Sequence, residues 1–122
     1  MKGPSAIYVH IPFCNKICPF CSFAVIRDRP TKHADYVNMI KKEFHGIVEE
    51  FSLTFTDIQS VYFGGGTPSR FPPALLSSLV DWLHTVLPLT SKTQWAIEVN
   101  PEDVSMMYSE KLKQLGFDRV SI

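Results

Sequence analysis

The chain has 122 residues, enough for one domain or part of one. Twelve basic side chains balance twelve acidic ones. With no charge block standing out, neither nucleic acid nor an anionic membrane is expected as the main partner. No apolar run approaches the roughly 20 residues of a membrane span, and Met1 to Ala6 lack the apolar stretch of a secretion signal, so a cytoplasmic protein is expected.

In chain order, short β-type runs alternate with amphipathic helical stretches. The first run is Ala6–Ile11, followed by a loop that opens at Pro12 and holds every cysteine. From Lys32 to Phe51, apolar residues recur at helical spacing: Val37, Ile40, Phe44, Ile47, Val48 and Phe51. The second run, Ser60–Phe63, stops at Gly64-Gly65-Gly66-Thr67-Pro68-Ser69. Pro72-Pro73 then opens a helix with a leucine stripe, which Pro88 closes. The third run is Gln94–Val99, stopped by Asn100-Pro101. A short helix is expected from about Val104, with Tyr108, Leu112 and Leu115 on the same face and Gly116 as its C-terminal cap. The fourth run is Arg119–Ile122.

The order β-α-β-α-β-α-β predicts an α/β fold with a parallel sheet and crossover helices. In such sheets the active site lies beyond the carboxyl ends of the strands. The cysteine loop, the glycine run and the segment from Glu98 to Pro101 all fall at those ends. A closed barrel of this kind takes roughly 250 residues. The chain also reaches its last residue inside a β-run, so a fragment with an exposed, association-prone edge is expected.

Cys14-x-x-x-Cys18-x-x-Cys21 puts three thiols on one short loop. An odd, clustered set is a poor disulfide framework and points to metal. Iron–sulfur clusters usually take four cysteines, so three would leave one iron open to a ligand. Two other readings remain at this level: a structural zinc site with His10 or His33 as fourth ligand, and three unliganded core thiols. The glycine run lets backbone approach a ligand closely, and it lacks the Lys-Ser/Thr ending of a phosphate loop. Its exposed backbone would suit the amino and carboxylate groups of an amino-acid moiety; an ordinary strand-to-helix turn is the alternative. Glu98 lies between Ile97 and Val99, where a carboxylate must be paired, face a polar site or turn to solvent. Tyr8 and His10 share one strand face.

These blocks together resemble a known family. The sequences Tyr8-Val9-His10-Ile11-Pro12-Phe13-Cys14, Cys18-Pro19-Phe20-Cys21 and Tyr62-Phe63-Gly64-Gly65-Gly66-Thr67-Pro68-Ser69 are three of five. Glu98-Val99-Asn100-Pro101-Glu102 and the stretch from Gly116 to Ile122 complete the set. They are similar to the oxygen-independent coproporphyrinogen III oxidases and their relatives in the radical S-adenosylmethionine (radical SAM) family. The resemblance implies an incomplete (β/α)6 barrel, of which residues 1–122 would form the N-terminal portion. It implies that Cys14, Cys18 and Cys21 ligate a [4Fe–4S] cluster whose fourth iron chelates S-adenosylmethionine. Electron transfer, from a donor such as flavodoxin or ferredoxin, would then yield a 5′-deoxyadenosyl radical. Gly65, Gly66 and Thr67 would hold the methionine end, Phe20 the adenine and Glu98 the ribose side, with Tyr8 lining the same pocket.

One position departs from the oxidases. They carry a further cysteine two places after the third, where this chain has Phe23. That pattern is more like the sister branch of haem chaperones, which bind haem and deliver it to haem enzymes. The chaperone branch, with haem as a further ligand, is therefore the leading expectation. An oxygen-independent coproporphyrinogen III dehydrogenase acting on a porphyrinogen is the enzyme alternative, and a zinc-binding structural module the third.

Overall fold

In the computed structural model, residues 1–14 and 24–122 are described. Cys18, Cys21, Phe20 and Phe23 therefore lie outside the described residues. The first β-run forms β1 (Ala6–Ile11), followed by two-residue strands β2 (Phe13–Cys14) and β3 (Ile26–Arg27). Next come α1 (His33–Glu50), β4 (Ser60–Gly65), α2 (Pro73–Val86), β5 (Gln94–Glu98), α3 (Met106–Gln114) and β6 (Arg119–Ser121). Four strands form one sheet in the order β1-β4-β5-β6, every neighbouring pair parallel. This is the expected α/β architecture with crossover helices.

Period-2 alternation divides the sheet into two chemically different faces. Val9, Ile11, Val61, Phe63, Trp95 and Ile97 point to one side and are buried. They form the core with Leu76, Leu79, Val80 and Leu83 of α2, Val37 of α1 and Leu112 of α3. The opposite face is polar. The pairing His10↔Gly64 and Glu98↔Ser121 sets one row across the strands, and Tyr8↔Tyr62↔Ala96↔Arg119 sets another. Parallel sheets are normally apolar on both faces, so this polar side marks where function is to be sought.

The helices start and stop where local chemistry dictates. Ser105 accepts a hydrogen bond from the Tyr108 amide at 3.0 Å and so caps α3. Val104, expected inside that helix, therefore precedes the cap and is exposed. At the other end Gly116 adopts φ +97°, and the Phe117 amide donates to the Leu112 carbonyl at 3.1 Å. With the Gly116 amide donating to Lys113 O, this is a complete Schellman closure. The stripe on α1 is buried only near its start. Val37 is buried, whereas Ile47 and Phe51 are 42% and 49% exposed. The reason is length: 18 residues of helix run roughly 27 Å, whereas the six-residue strands beneath span about 20 Å.

Tyr108 is a cost in this core. Its hydroxyl is buried and, among the described residues, has no hydrogen-bond partner. Burial first, and then the Asp103 carboxylate, push its pKa up to about 12 from an ordinary 10. The neutral phenol is favoured in the fold, so its contribution is intact below pH 10 and lost as pH rises toward 12. Tyr108→Phe is expected to be neutral or stabilising by about 1 kcal/mol at pH 7. It should also reduce the loss of stability between pH 10 and 12, as measured by urea denaturation across that range.

Candidate functional site at the carboxyl ends of the strands

Strand β4 does not end where the glycines begin. It runs through Gly64 and Gly65, which pair with His10 and Ile11. Each glycine meets a different obstacle. A Cβ on Gly64 would stand 2.8 Å from Tyr62 Cε1 and 3.0 Å from Glu98 Oε1. On Gly65, at φ +111°, it would stand 2.6 Å from His10 Nδ1. On Gly66 it would strike the Pro12 carbonyl at 2.6 Å. Side-chain-free residues are what let this strand end close against β1 and β2.

The amides of this segment are committed. Gly66 N–H donates to Ile11 O and Thr67 N–H to Phe13 O, both at 2.7 Å. The expectation that the glycine run offers open backbone to both ends of an amino acid is thereby narrowed. With these two donors spent, carbonyl oxygens and the Thr67 hydroxyl remain, and these suit an ammonium group better than a carboxylate. The Thr67 hydroxyl donates to Cys14 Sγ at 3.6 Å. Cys14 is half-buried at the end of β2, and the Asp28 amide donates to its carbonyl at 2.7 Å. The β2–β3 pair thus ties together the two sides from which the cysteine loop departs.

Glu98 faces the polar side of the sheet. Tyr62 donates its hydroxyl to Glu98 Oε1 at 2.7 Å. This bond to a carboxylate is the largest cause of the raised Tyr62 pKa. Tyr8 stacks on Tyr62 at 6.1 Å and 19°. Its own pKa is raised, first by desolvation and then by the Glu98 charge. A cavity of about 350 Å³ opens between Gly66, Thr67, Glu98, Val99, Asn100 and Ser121, within the size range of small-molecule sites. The structure therefore brings Gly66, Thr67 and Glu98 onto one cavity with Cys14 beside it. Tyr8 does not line that cavity and reaches it through Tyr62. Phe20, Cys18 and Cys21 lie outside the described residues.

Both zinc-candidate histidines are engaged through Nε2. His10 Nε2 donates to the Ala24 carbonyl at 2.7 Å, which leaves neutral Nδ1 to accept from Tyr8 Oη at 3.0 Å. His33, 2% exposed, bonds Asp28 Oδ1 through Nε2 at 2.5 Å.

A parallel strand–helix sheet with a polar inner face and a cavity at its carboxyl rim defines an α/β-barrel type of protein. The family described as the Radical SAM superfamily matches residues 8–122, and the chain belongs to it. Members of that superfamily work in general with a [4Fe–4S] cluster and S-adenosylmethionine. The chain is 32% identical over 117 residues to "Heme chaperone HemW" of Bacillus subtilis (strain 168), covering 93% of this chain and 30% of that protein. It is 32% identical over 123 residues to "Oxygen-independent coproporphyrinogen III oxidase" of Escherichia coli (strain K12), covering 99% and 26%. The solved structure of coproporphyrinogen III oxidase (HemN) from Escherichia coli, described as a radical SAM enzyme, superposes with a TM-score of 0.82. That match has 29% identity and covers 94% of this chain and 26% of the other. The chain thus spans a quarter to a third of the length of these relatives.

Residues that the sequence analysis passed over also stand at this rim. Arg70, Asp28, Asp103 and Ser69 form a connected polar group. No local pattern announces it, because its bonded pairs are 33 to 42 residues apart.

The glycine geometry gives a direct test. Gly65→Ala should destabilise by about 1–3 kcal/mol, through positive φ and the His10 contact. Gly46→Ala, with nothing within 4 Å of the new Cβ on α1, should instead stabilise by about 0.5–1 kcal/mol. Denaturant midpoints of the two variants measure the contrast.

Proposed function

We propose that this chain is the N-terminal portion of a radical SAM core domain that holds a [4Fe–4S] cluster through Cys14, Cys18 and Cys21 and binds S-adenosylmethionine beside it. The observation that carries the reading is the placement of Cys14 at the same strand-end rim as Gly66, Thr67 and Glu98. The donor set agrees with it. A soft thiolate at the edge of an open cavity fits iron–sulfur chemistry. Carbonyl oxygens and the Thr67 hydroxyl fit the cofactor's ammonium, and the Glu98 carboxylate fits its ribose hydroxyls. Phe20 would meet the adenine. Tyr8 would act at one remove, stacking on the tyrosine that holds Glu98. When bound, the reduced cluster supplies the electron that cleaves the cofactor's sulfonium bond. The protein's share is to bind, orient and exclude water.

Within the family we favour the haem-chaperone branch, with haem as ligand and a small electron carrier such as flavodoxin or ferredoxin as partner. Phe23, standing two places after Cys21, supports this choice. The second reading is an oxygen-independent coproporphyrinogen III dehydrogenase, favoured by the similarity to the Escherichia coli enzyme of that name.

Reconstitution with iron and sulfide under argon should yield about four irons and four sulfides per chain, the content of one [4Fe–4S] cluster. Cys18→Ala should lose most of that iron, since two thiolates hold a cluster poorly. Zinc without sulfide would overturn the proposal. Gly66→Val should retain iron but bind S-adenosylmethionine at least tenfold more weakly, because its side chain would press on Pro12 and displace the loop. In the longer protein, vinyl-group formation from coproporphyrinogen would decide for the dehydrogenase, and haem binding without turnover for the chaperone.

A further inference from the structure

Three loops meet at the carboxyl rim, and one guanidinium joins them. Arg70 Nε donates to Asp28 Oδ2 at 2.9 Å, and Arg70 Nη1 donates to Asp103 Oδ1 at 3.0 Å. Ser69 Oγ donates to Asp103 Oδ2 at 3.0 Å, and His33 Nε2 holds the second oxygen of Asp28. The Asp28 side chain is 5% exposed and that of Asp103 11%. Two carboxylates so far out of water are costly unless their bonds are well formed. Here all four of their oxygens have partners.

What matters is where each member is attached. The Asp28 amide bonds the carbonyl of Cys14. The Arg70 amide bonds the carbonyl of Thr67 at 2.9 Å. The Asp103 amide bonds the carbonyl of Asn100, whose own amide bonds Ser69 Oγ. Asp28, Arg70 and Asp103 are thus each one backbone bond from a residue at the cavity or at the start of the cluster loop, and Ser69 reaches Asn100 through its hydroxyl.

We propose that Arg70 is a positioning residue, which fixes the base of the cysteine loop relative to the Thr67 and Asn100 walls of the cofactor cavity. The proposal rests on the cluster and cofactor reading above. The planar guanidinium presents two donors to two carboxylates at once, a geometry that the point charge of lysine does not reproduce. Losing the bridge leaves Asp28 held by His33 alone, so that it and Cys14 can shift against the cavity. Affinity for the cofactor then falls, although the thiolates that hold iron are untouched.

The test is anaerobic reconstitution of the parent chain, Arg70→Gln and Arg70→Lys, followed by titration with S-adenosylmethionine. Binding is read from the change in the electron paramagnetic resonance spectrum of the reduced cluster. The parent and both variants should carry the same iron and sulfide and show the same far-ultraviolet circular dichroism. Arg70→Gln should raise the dissociation constant roughly tenfold, the scale of one charge-assisted hydrogen bond. Arg70→Lys should recover only part of that loss. Should Arg70→Gln fail to fold, Asp103→Asn, which keeps shape and removes charge, should still weaken binding about threefold or more. A loaded parent with unchanged affinity in Arg70→Gln, or in Asp103→Asn where that variant stands in, overturns this inference alone. A parent that gains neither iron nor sulfide overturns the functional reading and this inference with it.

Discussion

The backbone of Gly66 lies against the Pro12 carbonyl with no room for a side chain, and its amide is bonded to Ile11. Much of the site follows from that contact. It brings the end of β4 against β1 and β2, so Thr67 reaches both the Phe13 carbonyl and the Cys14 sulfur. Gly64, likewise without a side chain, leaves room for the Glu98 carboxylate. The glycines therefore act less as a flexible loop than as the thin end of a strand, where three segments distant in sequence close on one another.

The polar face of the sheet extends this arrangement into chemistry. Tyr8, Tyr62 and Glu98 are linked by a stack and a hydrogen bond, and Tyr8 passes the linkage to His10. A barrel interior lined in this way can bind a charged, polar cofactor. The helix-covered face supplies the rigidity, with Phe63, Trp95 and Phe117 packed edge to face. Binding elements on strand ends, backed by a packed core, are held more firmly than elements on free loops.

Much of this was legible in the residues. The β-branched runs and the leucine stripe of α2 predicted the strands and their cover, because period 2 and period 3.6 leave different marks. Gly116 was readable as a cap because only a positive φ closes α3 there. Other features were not readable. The β2 and β3 strands are two residues each, too short to produce a pattern. Glu98 could be read as solvated or paired, and only its contact with Tyr62 shows the pairing. The Arg70 network is made of contacts across the sheet rim, which no local window contains. The reading of the glycine run as open backbone overlooked that its amides would be claimed by the adjoining strands.

Native-state amide exchange at Gly66 and Thr67 tests the central claim most directly. If these amides are bonded to Ile11 and Phe13, they will exchange as slowly as those of Val61 and Phe63 in the middle of β4. Exchange at the rate of an open surface loop would contradict the welded strand end, and with it the geometry that sets Cys14 beside the cavity.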